Sequence, residues 1–394
     1  MLKVNGFSAA AVSAGIRKKG DGRLDLGLIV ADRGATTAAV FTQNAVVAPP
    51  VEICRERVGR NGSARAVLVN SGNANCMTLF GGREDALKLS EKVAHLLDIP
   101  VESVLPCSTG VIGERLPLSL MEAALDPLVK GLSVDGLDLF SQAILTTDTV
   151  TKTAIEEVTL KKGKIRVVGV AKGAGMIAPD MATMLGFILT DAGISSYDLS
   201  LVLGDAVADT FNSITIDGDM STNDTVILMA SGKGPPVKRA DDLAAFGKAV
   251  HTVCVALADM IVTDGEGATK VVEVKVTGAV SDEDAKKAAK AVAESLLVKT
   301  AFAAADPNWG RIAAAAGYSG AAVDMAKISL SIGEVKVLEE GEIVPGYDEA
   351  EAVKVMKLDR YEIVLGIGDG EGQATMKTCD LTEEYVRINC EYRT

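Results

Sequence analysis

One segment limits the fold more than any other, the near-continuous apolar run Met184-Leu185-Gly186-Phe187-Ile188-Leu189 that lies between Thr183 and Thr190. A half-exposed strand alternates polar with apolar residues, whereas an unbroken run of this length suits a strand covered on both faces. Layers must therefore stack on either side of it. Upstream, Lys164-Ile165-Arg166-Val167-Val168-Gly169-Val170 reads as a second strand, and Gly173, Gly175 and Pro179 punctuate the loop that joins the two.

Thr183 stands where that loop meets the run, at the edge of a core and facing a cleft. Two readings are open. It is the first residue of an ordinary strand, where Thr is common, or it is a nucleophile. A Thr hydroxyl is weak at its free pKa and needs a base, which a Thr at a chain N-terminus finds in its own α-amine, of pKa roughly 8. The second reading requires the chain to be cut between Ala182 and Thr183, and small Ala182 leaves the peptide carbonyl open to attack.

The other sequence blocks run in order along the chain: Phe41-Thr42-Gln43-Asn44, Asn70-Ser71-Gly72-Asn73-Ala74-Asn75, Ser108-Thr109-Gly110-Val111-Ile112-Gly113, Thr146-Thr147-Asp148-Thr149, Lys172 to Leu185, Asp217-Gly218-Asp219, Ser221-Thr222-Asn223-Asp224-Thr225, Asp264-Gly265-Glu266-Gly267-Ala268-Thr269-Lys270, Asp306-Pro307-Asn308-Trp309-Gly310-Arg311 and Arg387-Ile388-Asn389. This series resembles the ornithine acetyltransferase family, also called the arginine biosynthesis bifunctional protein family, nearly end to end. Cys76, Cys390, Met220 and Asp180 depart from the pattern, and Asp180 adds charge near the loop.

The resemblance implies self-cleavage at Ala182-Thr183, giving an α fragment (1–182) and a β fragment (183–394) intertwined in one fold. Thr183 would take the acetyl group of N-acetylornithine as an ester and pass it to glutamate by ping-pong transfer. Thr109 and Gly110 match the oxyanion-hole positions. Taken alone, Ser108-Thr109-Gly110 is a turn in which Gly110 permits close backbone approach and Thr109 offers a rotatable hydroxyl. Substrate contacts would fall on Thr146 or Thr147, Lys172, Thr183, Glu266, Asn389 and Thr394. By residue type alone, Lys172 and Glu266 are solvated loop charges. The resemblance also implies a heterotetramer of two α and two β fragments and leaves acetyl-CoA open as a second acetyl donor; no cofactor and no metal site is expected.

Composition agrees with small-molecule chemistry. Forty Lys+Arg against 53 Asp+Glu give a formal net charge of -13, which opposes nucleic-acid binding. The N-terminal residues lack a charged region followed by a Leu-rich run, so no secretion signal is expected. The best apolar stretch, Ala249 to Val262, holds His251 and Asp259 and is short for a membrane span. Cys54, Cys76, Cys107, Cys254, Cys379 and Cys390 show no close pairing, which suits a reducing cytoplasm. Cys107 flanks the oxyanion block, but its only bases would be His95 and His251, both in amphipathic helical patterns. Gly366 to Gly372 and Ser231 to Gly234 fail as phosphate loops and read as turns.

The coarse pattern sets a helix at Asp85 to Leu97 and others near Ser196 to Ser213, Ala240 to Val262 and Asp282 to Leu297, with strands at Val271 to Val276, Lys327 to Ile332 and Tyr361 to Leu365. Lys299 to Gly317, Ala-rich around Trp309, is expected to pack helix on sheet. Strands and helices without regular βαβ alternation indicate α+β. The resemblance sharpens this to a four-layer α/β/β/α sandwich of the self-cleaving N-terminal nucleophile type. Two other functions remain open: an amidase or aminopeptidase of the same class, in which water is the acceptor, and a non-catalytic amino-acid-binding protein.

Overall fold

The computed structural model describes residues 2–17, 22–178 and 184–391. Ala182, Thr183, Thr394 and Asp180 lie outside the described residues. In chain order the first part holds β1 (Phe7–Val12), β2 (Leu26–Phe41), α1 (Pro49–Asn61), β3 (Ser63–Asn73), α2 (Leu79–Leu97), β4 (Val104–Val111), α3 (Leu118–Lys130), α4 (Leu137–Ala143), β5 (Lys152–Leu160), β6 (Gly163–Lys172), β7 (Leu185–Thr190), α5 (Ser196–Ala208), β8 (Thr225–Ala230) and α6 (Ala240–Thr263). The second part holds β9 (Val271–Ala279), α7 (Asp282–Glu294), α8 (Leu296–Ala304), α9 (Trp309–Gly317), β10 (Ser329–Ile332), β11 (Val335–Glu339), β12 (Glu342–Ile343), α10 (Glu349–Met356), β13 (Arg360–Gly366), β14 (Gly372–Cys379) and α11 (Glu383–Glu391).

Strand alternation sorts the first part into four layers. Leu26, Leu28 and Val30 of β2 pack with Ala66 and Leu68 of β3 against Leu89 and Val93 of α2 and Leu125 of α3. The intervening residues, Ile29, Ala31, Val67 and Val69, point the other way and meet Val168, Val170, Phe187, Leu189, Ile227 and Met229 of β6, β7 and β8. The opposite faces of those strands, through Val167, Ile188, Val226 and Leu228, pack on α5 and α6. This is an α/β/β/α sandwich, and β7 is buried at every position, as its apolar run requires.

One strand serves both sheets. The register of β2 with β3 shifts between Val30 and Ala35, around exposed Asp32, Arg33 and Gly34, and from Thr36 onward β2 pairs with β8. The irregularity bends β2 from one layer into the other. Residues on both sides of position 182 thus share hydrogen bonds, since β6 pairs antiparallel with β7 and β2 with β8.

Beyond the sandwich stands a second lobe, a six-stranded sheet in the order β12-β11-β10-β13-β9-β14. Its core lies beneath α7, whose Ala285, Ala288, Ala289, Val292 and Ala293 form one small-residue stripe, with α8 and α9 beside it and Trp309 packed at the margin. The helix expected over Asp282 to Leu297 is two helices. Ser295 ends α7 and its side chain accepts the Val298 N–H, capping α8. The expected Ser196 to Ser213 helix stops at Ala208 and is followed by a short 3-10 turn, Phe211–Ser213. In the N-terminal half, α1, α3 and α4 join the single expected helix; Pro127 within α3 hides that helix from a sequence reading. Among the described residues α6 is the one helix long and apolar enough to cross a membrane, but its Phe246, Val250, Val253, Leu257 and Ile261 lie in the sandwich core.

Candidate active site

A cavity of about 260 Å³ opens where β4, β6 and the segment before β8 end together, at the small end for ligand sites. Thr109, Gly110, Thr146, Thr147, Lys172, Glu266 and Asn389 all line it, brought from five separate stretches of chain. Ala182, Thr183 and Thr394 lie outside the described residues, but Met184, directly after Thr183, is buried beside the segment that forms one wall.

Gly110 is required by its backbone. Its φ is +132°, and a Cβ there would fall 2.3 Å from the Gly72 carbonyl carbon and 2.4 Å from the Asn73 nitrogen. Parallel pairing of β4 with β3 draws the two Gly-containing turns this close. Thr109 beside it is 6% exposed, and its Oγ1 accepts from Lys172 Nζ at 3.4 Å. A hydroxyl that accepts from an ammonium keeps its own proton to donate, so the Thr109 hydroxyl is free to act as a donor at the cavity that Thr109 and Gly110 both line.

Lys172 is not a solvated loop charge. It ends β6, is 3% exposed, and its Nζ lies 4.0 Å from Asp148 Oδ2. Burial lowers the Lys172 pKa, and Lys152 adds to this, while Asp148, Asp224 and Glu266 oppose it. The Asp148 carboxylate accepts Lys152 Nζ at 2.7 Å, Gly173 N at 2.6 Å and Thr146 N at 3.0 Å. Burial pushes Asp148 up, but the Lys172 and Lys152 ammoniums override it and hold the carboxyl down at about 2. Lys152 itself is wholly buried and reaches Asp264 Oδ2 at 2.5 Å as well. Asp264 also receives the Thr149 backbone N–H and hydroxyl, so the network fixes the Thr146 to Thr149 turn against the wall.

Glu266 is also buried. Gly175 lies on its carboxylate so closely that a Cβ would fall 2.5–2.7 Å from it, and Asn389 Nδ2 donates to Glu266 Oε2 at 2.7 Å. Asn389 arrives on α11, which has no buried residue and reaches the pocket through polar contacts. The cavity thus offers a cation and a carboxylate, the pair that would engage the carboxylate and amine of an amino acid.

Sequence reading assigned no chemistry to Asp217 or Tyr385, which also line the cavity. Asp217 accepts the Met176 and Ile177 N–H groups at 2.6 and 2.8 Å and the Tyr385 hydroxyl at 3.1 Å, pinning the loop that leads toward position 179. The Asp-Gly-Asp pattern at 217–219 was the available signal, since Asp in such a turn caps nearby backbone N–H groups. Cys107 does not line the cavity; a hydrogen bond with Cys54, with burial behind it, pushes its thiol up, the reverse of an activated nucleophile. His95 is exposed on α2, and His251 lines a separate groove between α5 and α6. Among the described residues no group of three or more His, Cys, Asp or Glu could hold a metal ion.

A model of the ArgJ family matches residues 8–394. The chain belongs to the ArgJ family. It is 46% identical over 396 residues to the arginine biosynthesis bifunctional protein ArgJ of Geobacter sulfurreducens, covering all of both chains. The ArgJ of Thermotoga neapolitana is likewise 46% identical, over 402 residues and all of both chains. Among solved structures, the ArgJ of Bacillus halodurans is 44% identical with a TM-score of 0.50, covering 52% of this chain and 98% of its own. Membership makes this ArgJ-family chain an acyltransferase of arginine biosynthesis.

Proposed function

We propose that the chain cuts itself between Ala182 and Thr183 and then moves an acetyl group from N2-acetyl-L-ornithine to L-glutamate through an acetyl ester on Thr183. The observation that carries this reading is the single cavity lined by Thr109, Gly110, Lys172, Glu266 and Asn389, with Met184 buried beside its wall. The Bacillus halodurans chain supports the cut, because it is matched over 98% of its own length yet spans about half of this one, the size of one fragment.

In the first half-reaction the Thr183 α-amine takes the hydroxyl proton while Oγ attacks the acetyl carbonyl. Thr109 and the Gly110 N–H receive the oxyanion, each donor worth about 3 kcal/mol at the transition state. The C–N bond then breaks, the proton passes to the leaving nitrogen, and ornithine departs. Glutamate's amine attacks the ester in the second half, and the proton returns to Thr183 as N-acetylglutamate leaves. Lys172 anchors the carboxylate of either amino acid, and Glu266 with Asn389 holds the amine side, with Thr146 or Thr147 and Thr394 completing the contacts. The assembly in this reading is a heterotetramer of fragments 1–182 and 183–394, working in the cytoplasm without a cofactor; acetyl-CoA remains a candidate second donor.

Intact mass measurement under denaturing conditions tests the reading. Two fragments are expected, one beginning at Thr183, together with transfer from acetylornithine to glutamate. Thr183→Ala should leave one 40.9 kDa chain and abolish transfer. An uncut wild type, or a Thr183→Ala protein that still transfers acetyl, overturns it. Release of free acetate in place of acetylglutamate would favour the amidase reading.

A further inference from the structure

Arg17 belongs to none of the sequence blocks that point to the site; it lies in the connection between β1 and β2. A buried carboxylate decides where it goes. Asp25, 1% exposed and directly before β2, accepts the Ala14 N–H on Oδ1 and the Ile16 N–H on Oδ2, both at 2.6 Å. Gly15 between them takes a φ of +78°, so the chain turns around the carboxylate and presents Arg17 next. The Asp25 backbone is fixed as well, its N–H donating to the Val12 carbonyl at 3.1 Å and its carbonyl accepting the Ser71 N–H at 2.9 Å.

Arg17 touches two stretches that lead into the cavity. Its stem lies on Gly72, where a Cβ would fall 2.3 Å from Arg17 Cγ, and Gly72 in turn abuts Gly110. Its Nη1 donates to the Leu145 carbonyl at 3.2 Å and its Nη2 to the Thr146 carbonyl at 2.5 Å. The peptide unit between Leu145 and Thr146 is therefore held at both polar atoms, its oxygen by Arg17 and its N–H by Asp148. The next unit, between Thr146 and Thr147, is held at its oxygen by the same guanidinium. Fixing the peptide planes on either side of a Cα fixes that residue's φ and ψ, and with them the direction of its side chain. A guanidinium suits this task, since its planar fork carries donors on separate nitrogens and keeps its charge at any working pH.

We propose that Arg17 is a positioning residue for acetyl transfer: it holds the Thr146–Thr147 turn in the orientation that receives the amino-acid substrate, and Asp25 acts through it. The inference rests on the reading that this turn contacts substrate. Arg17 does not itself line the cavity, so its influence passes through the turn. Gly110 keeps its own support in the pairing of β4 with β3.

Steady-state transfer from acetylornithine to glutamate, with melting temperatures on the same samples, tests this in wild type, Arg17→Ala, Arg17→Lys, Asp25→Asn and the Arg17→Ala/Asp25→Asn double variant. Arg17→Ala should raise KM for both amino acids about 10- to 100-fold, the factor expected for losing a charge-assisted hydrogen bond. Its kcat should fall by less than about threefold, because a contact made equally in the ground and transition states acts on KM. Arg17→Lys offers one ammonium in place of the fork and should lie between Ala and wild type. Asp25→Asn has one acceptor oxygen for two N–H groups and should also raise KM, yet raise it no further once Arg17 is Ala. An Arg17→Ala protein with the wild-type KM, whatever its melting temperature, overturns the proposal and leaves the transfer reading standing. So does an Asp25→Asn effect that adds in full to that of Arg17→Ala. If Arg17→Ala fails to fold, wild-type KM in both Arg17→Lys and Asp25→Asn overturns the proposal. A wild type that moves no acetyl from acetylornithine to glutamate overturns the reading and the inference together.

Discussion

The sandwich and the C-terminal lobe each bury one lysine completely, and the two are held in different ways. Lys152, in the sandwich, lies between the carboxylates of Asp148 and Asp264 at 2.7 and 2.5 Å. Lys299, in the lobe, meets neutral oxygens, Thr378 Oγ1 at 2.9 Å and the Cys379 carbonyl. The lobe lysine ties α8 to the end of β14, and from there the chain runs into α11 and reaches the pocket with Tyr385 and Asn389. The sandwich lysine instead belongs to the charged wall, because Asp148 also bonds the Thr146 and Gly173 N–H groups and faces Lys172. Buried charge is thus concentrated where the chain must bind charge, and the lobe supplies a frame from which one helix is aimed.

Removing Lys152 should give the largest effect. Lys152→Ala leaves Asp148 and Asp264 buried without their shared cation, a change of the kind that destabilises by about 3–5 kcal/mol. It should also raise KM, since the Thr146 turn and Lys172 lose their support. Urea unfolding and acetyl-transfer kinetics on the same sample check this. Unchanged KM in a destabilised protein would reduce the wall to scaffolding.

The matching change in the lobe is Phe302→Ala. Phe302 is fully buried and meets Tyr361 edge-on, with ring centroids 6.1 Å apart. A cavity of that size should lower stability by about 3–4 kcal/mol. The folded fraction should keep the wild-type kcat, because Phe302 does not line the pocket. A matching fall in kcat would show that the frame and the site are coupled through α11, and the contrast between the regions would fail.

The same contrast governs what the sequence made legible. The apolar run of β7 required layers on both faces, and Gly110 pointed to a close backbone approach that its +132° φ bears out. Lys172 and Glu266 were readable only by resemblance, since nothing in their local sequence says that their side chains are buried; that follows from β6 ending inside the sandwich and from Gly175 lying on the carboxylate. The bend of β2 between layers was hidden because Asp32-Arg33-Gly34 reads as a turn. The helices and strands of the second lobe were legible, but that they form a sheet of their own was not, because β9 pairs with β13 and β14 far along the chain, a relation that no local pattern records. Asp217 and Asp224 accept backbone N–H groups of distant segments and Tyr385 donates to the Asp217 carboxylate; the Asp-Gly-Asp turn marks Asp217, but no local pattern records which segments these side chains meet.

Acid should separate the two regions by a smaller amount. Asp148 has a folded-state pKa of about 2, below its unfolded value of roughly 3.9, so the folded protein binds fewer protons there than the unfolded chain. Its contribution is complete above about pH 4 and is lost as pH falls through 2, roughly 2 kcal/mol in all. Burial shifts Asp217 and Asp224 the opposite way, so their protonation on acidification favours the folded state and partly masks the loss. The wild-type profile alone is therefore a poor readout, and the difference from Asp148→Asn is the better one. Asn cannot titrate, so the stability gap between the two proteins should be widest at pH 5 and close toward pH 2. A gap that stays constant would mean that Lys152 and Lys172 do not hold Asp148 ionised, and that the charged wall owes its order to the backbone bonds of Asp148 rather than to its ion pairs.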